Sequence, residues 1–258
     1  MMSARTDTQS PLESAVTGAP QKPASPKLQW IKRFDVGTRL EHWAMVVVFT
    51  GLCLTGIPQK YASAGWAQSI IDVMGGPAGA RFVHRLFGWL FSFQMVFHVA
   101  KVLLYTLRRR GPLYMLPNKK DFTDAIGTLK YYLGERKSHP PYDRYEYKQK
   151  FEYWGMVMGS VLMVGTGFIL LYPIFASHLL PSEIIPIAKA AHSNEGLMAL
   201  LVIIVWHIFN AVLSPEVFPV DKTMFTGKIS RERMEHEHAL ELARIEGRTL
   251  KDGEEGHH

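Results

Sequence analysis

The sequence predicts an all-α integral membrane protein, a four-helix bundle with both termini on the cytoplasmic side. Three observations predict it. Four charge-free stretches interrupt an otherwise polar chain. The basic residues crowd onto alternate connections between them. Five of the eleven histidines sit within or at the ends of those stretches. Averages over the 258 residues hide this pattern, since 47% hydrophobic and 20% charged residues describe an ordinary soluble domain. The near-zero mean hydropathy is a cancellation between apolar spans and charged connections.

Residues 1–27 are rich in Ser, Thr, Pro, Gln and Ala and contain no apolar run. They read as a disordered cytoplasmic arm rather than a secretory or twin-arginine signal. The uncharged blocks are residues 43–59, 86–100 (an apolar span of 82–107 with its flanks), 154–182 and 196–215. With flanks, each reaches about 18–25 residues, the length at which an α-helix crosses about 30 Å of hydrocarbon. The remaining chain is too polar to cover four buried core helices. Residues 66–74 fit a short amphipathic helix on the membrane surface, ended by Gly75, Gly76 and Pro77. Residues 230–245 fit a charged helix with Ser230 as its N-cap. The expected division is a 1–27 arm, a 28–220 transmembrane domain and a 221–258 charged cytoplasmic tail.

The formal net charge is +6. Six Lys and Arg precede the first block, eleven lie in residues 106–150 and seven in the tail. The loop after the first block has only Lys60 and Arg81, and that after the third only Lys189. The positive-inside rule therefore puts both termini and the 106–150 connection in the cytoplasm. This basic excess is a topology signal, and no nucleic-acid partner is expected. The single cysteine, Cys53, excludes an intrachain disulfide, a c-type haem attachment and any cysteine-based cluster. Cofactors must hang on histidine.

Ionisable side chains at membrane depth default to function. Those here are His42, His84, His98, His192 and His207. His84 and His98 are 14 residues apart, and His192 and His207 are 15 apart. Along one helix these are separations of about 21–23 Å, with the two rings within about 40° and 60° of the same side. Two stacked b-type haems, one near each membrane surface, require such pairs, because neutral imidazole is a good iron ligand. Gly88 and Gly196 each follow a histidine by four, which admits a flat porphyrin edge or serves ordinary helix packing. Arg39 and Arg85 stand beside candidate ligands, as haem-propionate partners or as interfacial snorkelling residues. The other six histidines, His139, His178, His236, His238, His257 and His258, read as solvated surface.

RLEHWA at 39–44, VHRLFG at 83–88, His192 with Gly196 and His207, and FTGKISRE at 225–232 occur in an order and spacing that carry a resemblance. Over most of residues 30–245 the chain resembles the membrane dihaem cytochrome b subunits of respiratory formate dehydrogenases and nickel–iron hydrogenases, the formate dehydrogenase gamma subunit in particular. The resemblance implies two b-type haems in a bacterial inner membrane. One, the outer, would be held by His84 and His192. The inner would be held by His42 and His207. His98 lies at inner-haem depth and is the alternative to His42, although the match around His42 is tighter. The helix-four spacing of 15 is one more than in formate dehydrogenase relatives, and a π-bulge or a rotated ligand absorbs it.

The same resemblance implies a menaquinone or ubiquinone site at residues 144–150, where Tyr145 and Gln149 fit the family segment and Glu146 replaces an asparagine. A carboxylate there suits proton relay to a reduced quinone. Glu195, one turn beyond His192, has no assigned role. The expected function is electron transfer between the quinone pool and a periplasmic iron–sulfur or multihaem subunit, with a catalytic subunit beyond it. A hydrogenase or other quinone-linked cytochrome b is the alternative. A histidine-based metal or proton transporter is the remote one, as no inverted repeat or broken helix is evident.

Overall fold

A computed structural model describes residues 30–108, 113–215 and 217–248. The predicted arm at residues 1–27 lies outside them. Among the described residues, four helices are long and apolar enough to cross a membrane: Val36–Lys60, Gly76–Leu107, Tyr147–Leu171 and Ile184–Leu213. The first two are labelled α1 and α3, with α2 (Gly65–Val73) between them. After α4 (Lys119–Tyr132) come α5 (Tyr147–Leu171), α6 (Pro173–Leu179) and α7 (Ile184–Val202). α7 runs on through two π-helical turns, Ile203–His207 and Phe209–Leu213. The chain closes with α8 (Thr223–Thr226), α9 (Arg231–Glu237) and α10 (Ala239–Ile245).

Local chemistry sets the element ends. Asp35 caps α1 by accepting the Thr38 amide at 2.7 Å, and the Tyr61 amide closes its far end on the Ile57 carbonyl. The left-handed Gly75 and Gly76 end α2 and turn the chain into α3, whose first turn carries Pro77. Asn118 and Asp121 form a reciprocal capping box that starts α4. Pro173 ends α5 and opens α6.

Large apolar side chains along the four long helices face outward, with Val47 64%, Phe93 72% and Val205 69% exposed. In water such a surface would be untenable; in a bilayer it is the solvent-matched face. α7 packs on α5 and α1, and α1 packs on α3. Gly51 makes the last approach close, since a Cβ there would meet the Phe87 ring at 2.4 Å.

The buried apolar cluster lies at the bundle end where the first and last described segments meet. Strand β1 (Trp30–Lys32) pairs antiparallel with β2 (Lys228–Ser230), with Ile31 opposite Ile229. These two isoleucines, Met234 and Leu242 form a small buried cluster. Neither strand was expected from the sequence. The tail helix was, and the Ser230 hydroxyl does accept the Arg233 amide. It breaks at His238 into α9 and α10.

The reading of His238 as solvated surface is corrected, because the residue is only 2% exposed. Its Nδ1–H donates to the Asp143 carbonyl at 2.8 Å, and its Nε2 accepts from Arg33 at 3.1 Å. Arg33 and Arg144 both pair with the buried Glu241. A histidine wedged against two guanidinium groups folds inward only as the neutral ring. Burial, and then the charge of Arg33, push its pKa down to about 3. The undocked tail has an ordinary histidine near 6.5 and so binds the proton more readily. Docking is complete above pH ~6.5 and weakens as pH falls toward 3, by about 2 kcal/mol at pH 5. Hydrogen exchange should therefore report falling protection of α9 and α10 between pH 7.5 and 5. In His238→Gln that dependence should be absent.

Candidate functional site

The bundle brings four of the five membrane histidines together as two opposed pairs. His84 of α3 faces His192 of α7, with ring centroids 6.2 Å apart and planes at 85°. His42 of α1 faces His207, on the first π turn of α7, also at 6.2 Å, with planes at 37°. Among the described residues, no three or more His, Cys, Asp or Glu converge as a metal cluster. The arrangement is two separate two-imidazole sites at two depths.

Hydrogen bonds fix how three of these rings stand. The Thr55 hydroxyl donates to the Gly51 carbonyl at 2.7 Å, so its oxygen is left to accept His84 Nδ1–H at 2.8 Å. Thr166 repeats this on α5: its hydroxyl donates to the Leu162 carbonyl at 2.6 Å and lies 2.9 Å from His192 Nδ1. His207 Nδ1 lies 2.6 Å from the Glu152 carboxylate. With Nδ1 carrying the proton, each ring keeps its Nε2 lone pair free. His42 differs, since its Nδ1 is buried without a hydrogen-bond partner.

Glycines make room beside the rings. A Cβ on Gly56 would come within 2.9 Å of His84 Cε1, and one on Gly167 within 3.4 Å of His192 Cε1. The same Thr-Gly dipeptide, 55–56 and 166–167, thus holds one ring from α1 and the other from α5. Sequence reasoning singled out Gly88 and Gly196 instead, and missed Thr55, Thr166 and Glu152. The repeated dipeptide was the available signal. Lys60 ties the end of α1 to the middle of α7 through Ser193 and Asn194, next to His192. Glu195 fills a notch in α5, its carboxylate 2.6 Å from where a Gly159 Cβ would sit.

The first π turn, which ends at His207, explains the spacing of 15. An i→i+5 turn takes up one extra residue without advancing the ring around the helix. His207 therefore faces the same interior as His192.

His98 is not part of either pair. Its Nδ1 lies 2.5 Å from Glu41 Oε1 and its Nε2 3.0 Å from the Tyr153 hydroxyl. Arg39 has a buried Nε without a hydrogen-bond partner, whereas Arg85 is exposed. Of the three candidate quinone residues, Tyr145 lines a pocket of about 260 Å³ with Arg33, Asp35, Thr38 and Arg144. The guanidinium groups of Arg33 and Arg144 both lie over its ring, 5.5 and 5.7 Å from its centroid. Glu146 and Gln149 are not in that lining. They start α5, the Glu146 amide donating to Gln149 Oε1 at 3.2 Å.

The family model for prokaryotic cytochrome b561 matches residues 33–227, which contain both pairs and Tyr145. The chain belongs to the prokaryotic cytochrome b561 family. It is thus a multi-pass protein of the bacterial inner membrane that carries b-type haem in electron transfer. This cytochrome b is 24% identical over 231 residues to the nitrate-inducible formate dehydrogenase cytochrome b556(Fdn) subunit of Escherichia coli strain K12, covering 89% of this chain and 99% of that protein. The formate dehydrogenase cytochrome b556 subunit of Haemophilus influenzae is 26% identical over 181 residues, 70% of each chain. The cytochrome b556(fdo) subunit of Escherichia coli K12 is 25% identical over 187 residues, 70% of this chain and 79% of its own.

The residues fit the group that the family carries. Two imidazoles sharing one metal through axial bonds of about 2 Å would hold their ring centroids roughly 6 Å apart, and both pairs meet that spacing. The free Nε2 positions and the glycine notches are what a metal and a flat macrocycle between the rings require.

Proposed function

We propose that this cytochrome b is the quinone-reactive membrane subunit of a respiratory oxidoreductase and holds two b-type haems. His84 and His192 would hold one, and His42 and His207 the other. The observation that carries the reading is the two opposed imidazole pairs, equal in separation, within one bundle. In this reading His98 is not a ligand, which is supported by the protein partners on both of its ring nitrogens.

When bound, haem supplies reversible one-electron chemistry, and the chain does the rest. Thr55, Thr166 and Glu152 hold the Nδ1 proton of three ligands and so keep Nε2 basic and aimed. The glycines admit the macrocycle, and the apolar helices exclude water. Arg39 is the better placed propionate partner, since its buried Nε still lacks an acceptor. Arg85 stands beside His84 and reaches the same kind of group from the surface. His192 and His207 are about 22 Å apart along α7, so the two sites together span the membrane.

The basic end of the bundle is the cytoplasmic one by the positive-inside rule. The quinone, menaquinone or ubiquinone, is taken up there, beside Tyr145 and near the His42–His207 pair, with Glu146 and Gln149 shaping the start of α5. Electrons are exchanged at the opposite face with a periplasmic iron–sulfur or multihaem subunit that serves a catalytic subunit. The names of the E. coli and H. influenzae relatives support formate as the substrate of that assembly.

Haem content and the reduced-minus-oxidised spectrum of the purified chain test the ligand set. Two haems per chain are expected, falling to one in His84→Ala, His192→Ala, His42→Ala and His207→Ala, and staying at two in His98→Gln. One haem per chain in the unaltered protein would overturn the assignment. Thr55→Val and Thr166→Val keep the side-chain shape but remove the hydroxyl partner of the imidazole. Each should lower haem affinity about 10–100-fold, and only at the His84–His192 pair, as measured by haem titration of the apoprotein.

A further inference from the structure

α4 is built the wrong way round for a helix on a surface in water. Its apolar residues Phe122, Ile126, Leu129 and Leu133 fall, at about 100° per residue, within an arc of about 60°. In a soluble protein that stripe would face the core. Here it faces out, with Phe122 73%, Ile126 57%, Leu129 58% and Leu133 65% exposed. The opposite side, which carries Asp124, Gly127 and Thr128, is the one buried against the protein.

Polar contacts hold the helix in that rotation. Asp121 accepts from the buried Lys150 Nζ, one turn into α5, at 2.7 and 3.0 Å. The Thr128 hydroxyl lies 2.7 Å from that of Tyr142. A Cβ on Gly127 would come within 2.9 Å of Pro140. Just before the helix, the Met115 carbonyl accepts from Trp154 Nε1–H, two turns into α5, at 2.8 Å. α4 therefore lies level with the first turns of a membrane-spanning helix, where Phe151 is also exposed. Its 14 residues make about 21 Å, too short to cross about 30 Å of hydrocarbon.

The exposed charges around the stripe are mostly of one sign. The carboxylates of Asp121 and Asp124 are taken up by Lys150 and Lys120. Lys119, Lys130 and Lys137 are exposed, against one exposed acid, Glu135. Lys119 and Lys130 lie on one flank of the stripe, within about 80° of it, and the exposed Tyr132 lies on the other. Lysine and tyrosine are side chains that reach from an acyl layer to its headgroups.

We infer that α4 is an interfacial anchor that binds anionic phospholipid. It lies in the plane of the membrane, with Phe122, Ile126, Leu129 and Leu133 among the acyl chains and Lys119 and Lys130 at the lipid phosphates. The positive-inside rule makes this the cytoplasmic leaflet. The occupant is lipid rather than a protein because the stripe has a cationic flank and sits where the bilayer around α5 begins.

Spin labels test this in the full chain, reconstituted into nanodiscs of phosphatidylcholine alone or mixed with phosphatidylglycerol. Ile126→Cys and Leu129→Cys, in a Cys53→Ala background, place the label at exposed positions where it disturbs no packing. In the mixed bilayer both labels should be relaxed more by oxygen than by a water-soluble nickel chelate, as should a label at the outward-facing Phe93→Cys of α3. A label at Thr123→Cys, on the lysine flank, should favour the nickel chelate. Adding phosphatidylglycerol should raise the oxygen-to-nickel ratio at Ile126→Cys, and Lys119→Gln with Lys130→Gln should abolish that rise. Equal access of the nickel chelate to Ile126→Cys and Thr123→Cys would overturn the inference, since the stripe would then face water. Low access of both reagents to Ile126→Cys would overturn it too, as the mark of a covering protein such as a second copy. A ratio unmoved by phosphatidylglycerol would overturn the anionic assignment.

Discussion

The interaction on which the rest depends is the hydrogen bond to Nδ1 of an imidazole inside the bilayer. A neutral ring at that depth has one N–H to satisfy and no water to satisfy it. Thr55 and Thr166 do so only because each hydroxyl already donates to a carbonyl one turn back, which leaves its oxygen to accept. That requirement fixes the rotation of α1 against α3 and of α5 against α7. It also leaves Nε2 pointing inward, where a metal can take it. The glycine that follows each threonine lets the ring approach the neighbouring backbone. One small motif thereby sets helix packing, tautomer and ring position together.

The two pairs are not equivalent. The His84–His192 pair is held by neutral hydroxyls. At the other pair, His207 is held by the Glu152 carboxylate, and His42 Nδ1 has no protein partner. A carboxylate against Nδ1 makes the ring a stronger donor to iron than a hydroxyl does. The asymmetry places different electrostatics at the two ends of the bundle, and the charged end is also where Tyr145, Tyr153 and His98 gather. Immediately beyond it lie the buried apolar cluster and the β1–β2 ribbon, with the Arg33, Arg144, Glu241 and His238 network. That cap ties the first and last described segments together over the pocket that Arg33, Arg144 and Tyr145 line.

Much of the fold was legible because a bilayer imposes a simple rule on composition. Four uncharged spans, the short amphipathic α2 and the Ser230 cap were all expected and all occur. The π-helical turn was expected as one of two ways to absorb the spacing of 15 around His207. The β1–β2 pairing was not legible, since three-residue strands nearly 200 positions apart leave no periodic signal. His238 was misread for a related reason: nothing in the polar stretch around it announces that Arg33 and Asp143 fold over it.

By itself, the sequence determined the number of spans, the resemblance and which histidines lie at membrane depth, because hydropathy and charge act on each segment independently of its neighbours. Only the tertiary structure decided which imidazoles face one another and which do not. His42 and His98 are both intramembrane histidines near the same end of the bundle. One meets another imidazole across a gap of metal-site size, and the other meets Glu41 and Tyr153. The difference lies in how α1, α3, α5 and α7 rotate against each other, and that rotation is set by contacts between segments far apart in the chain.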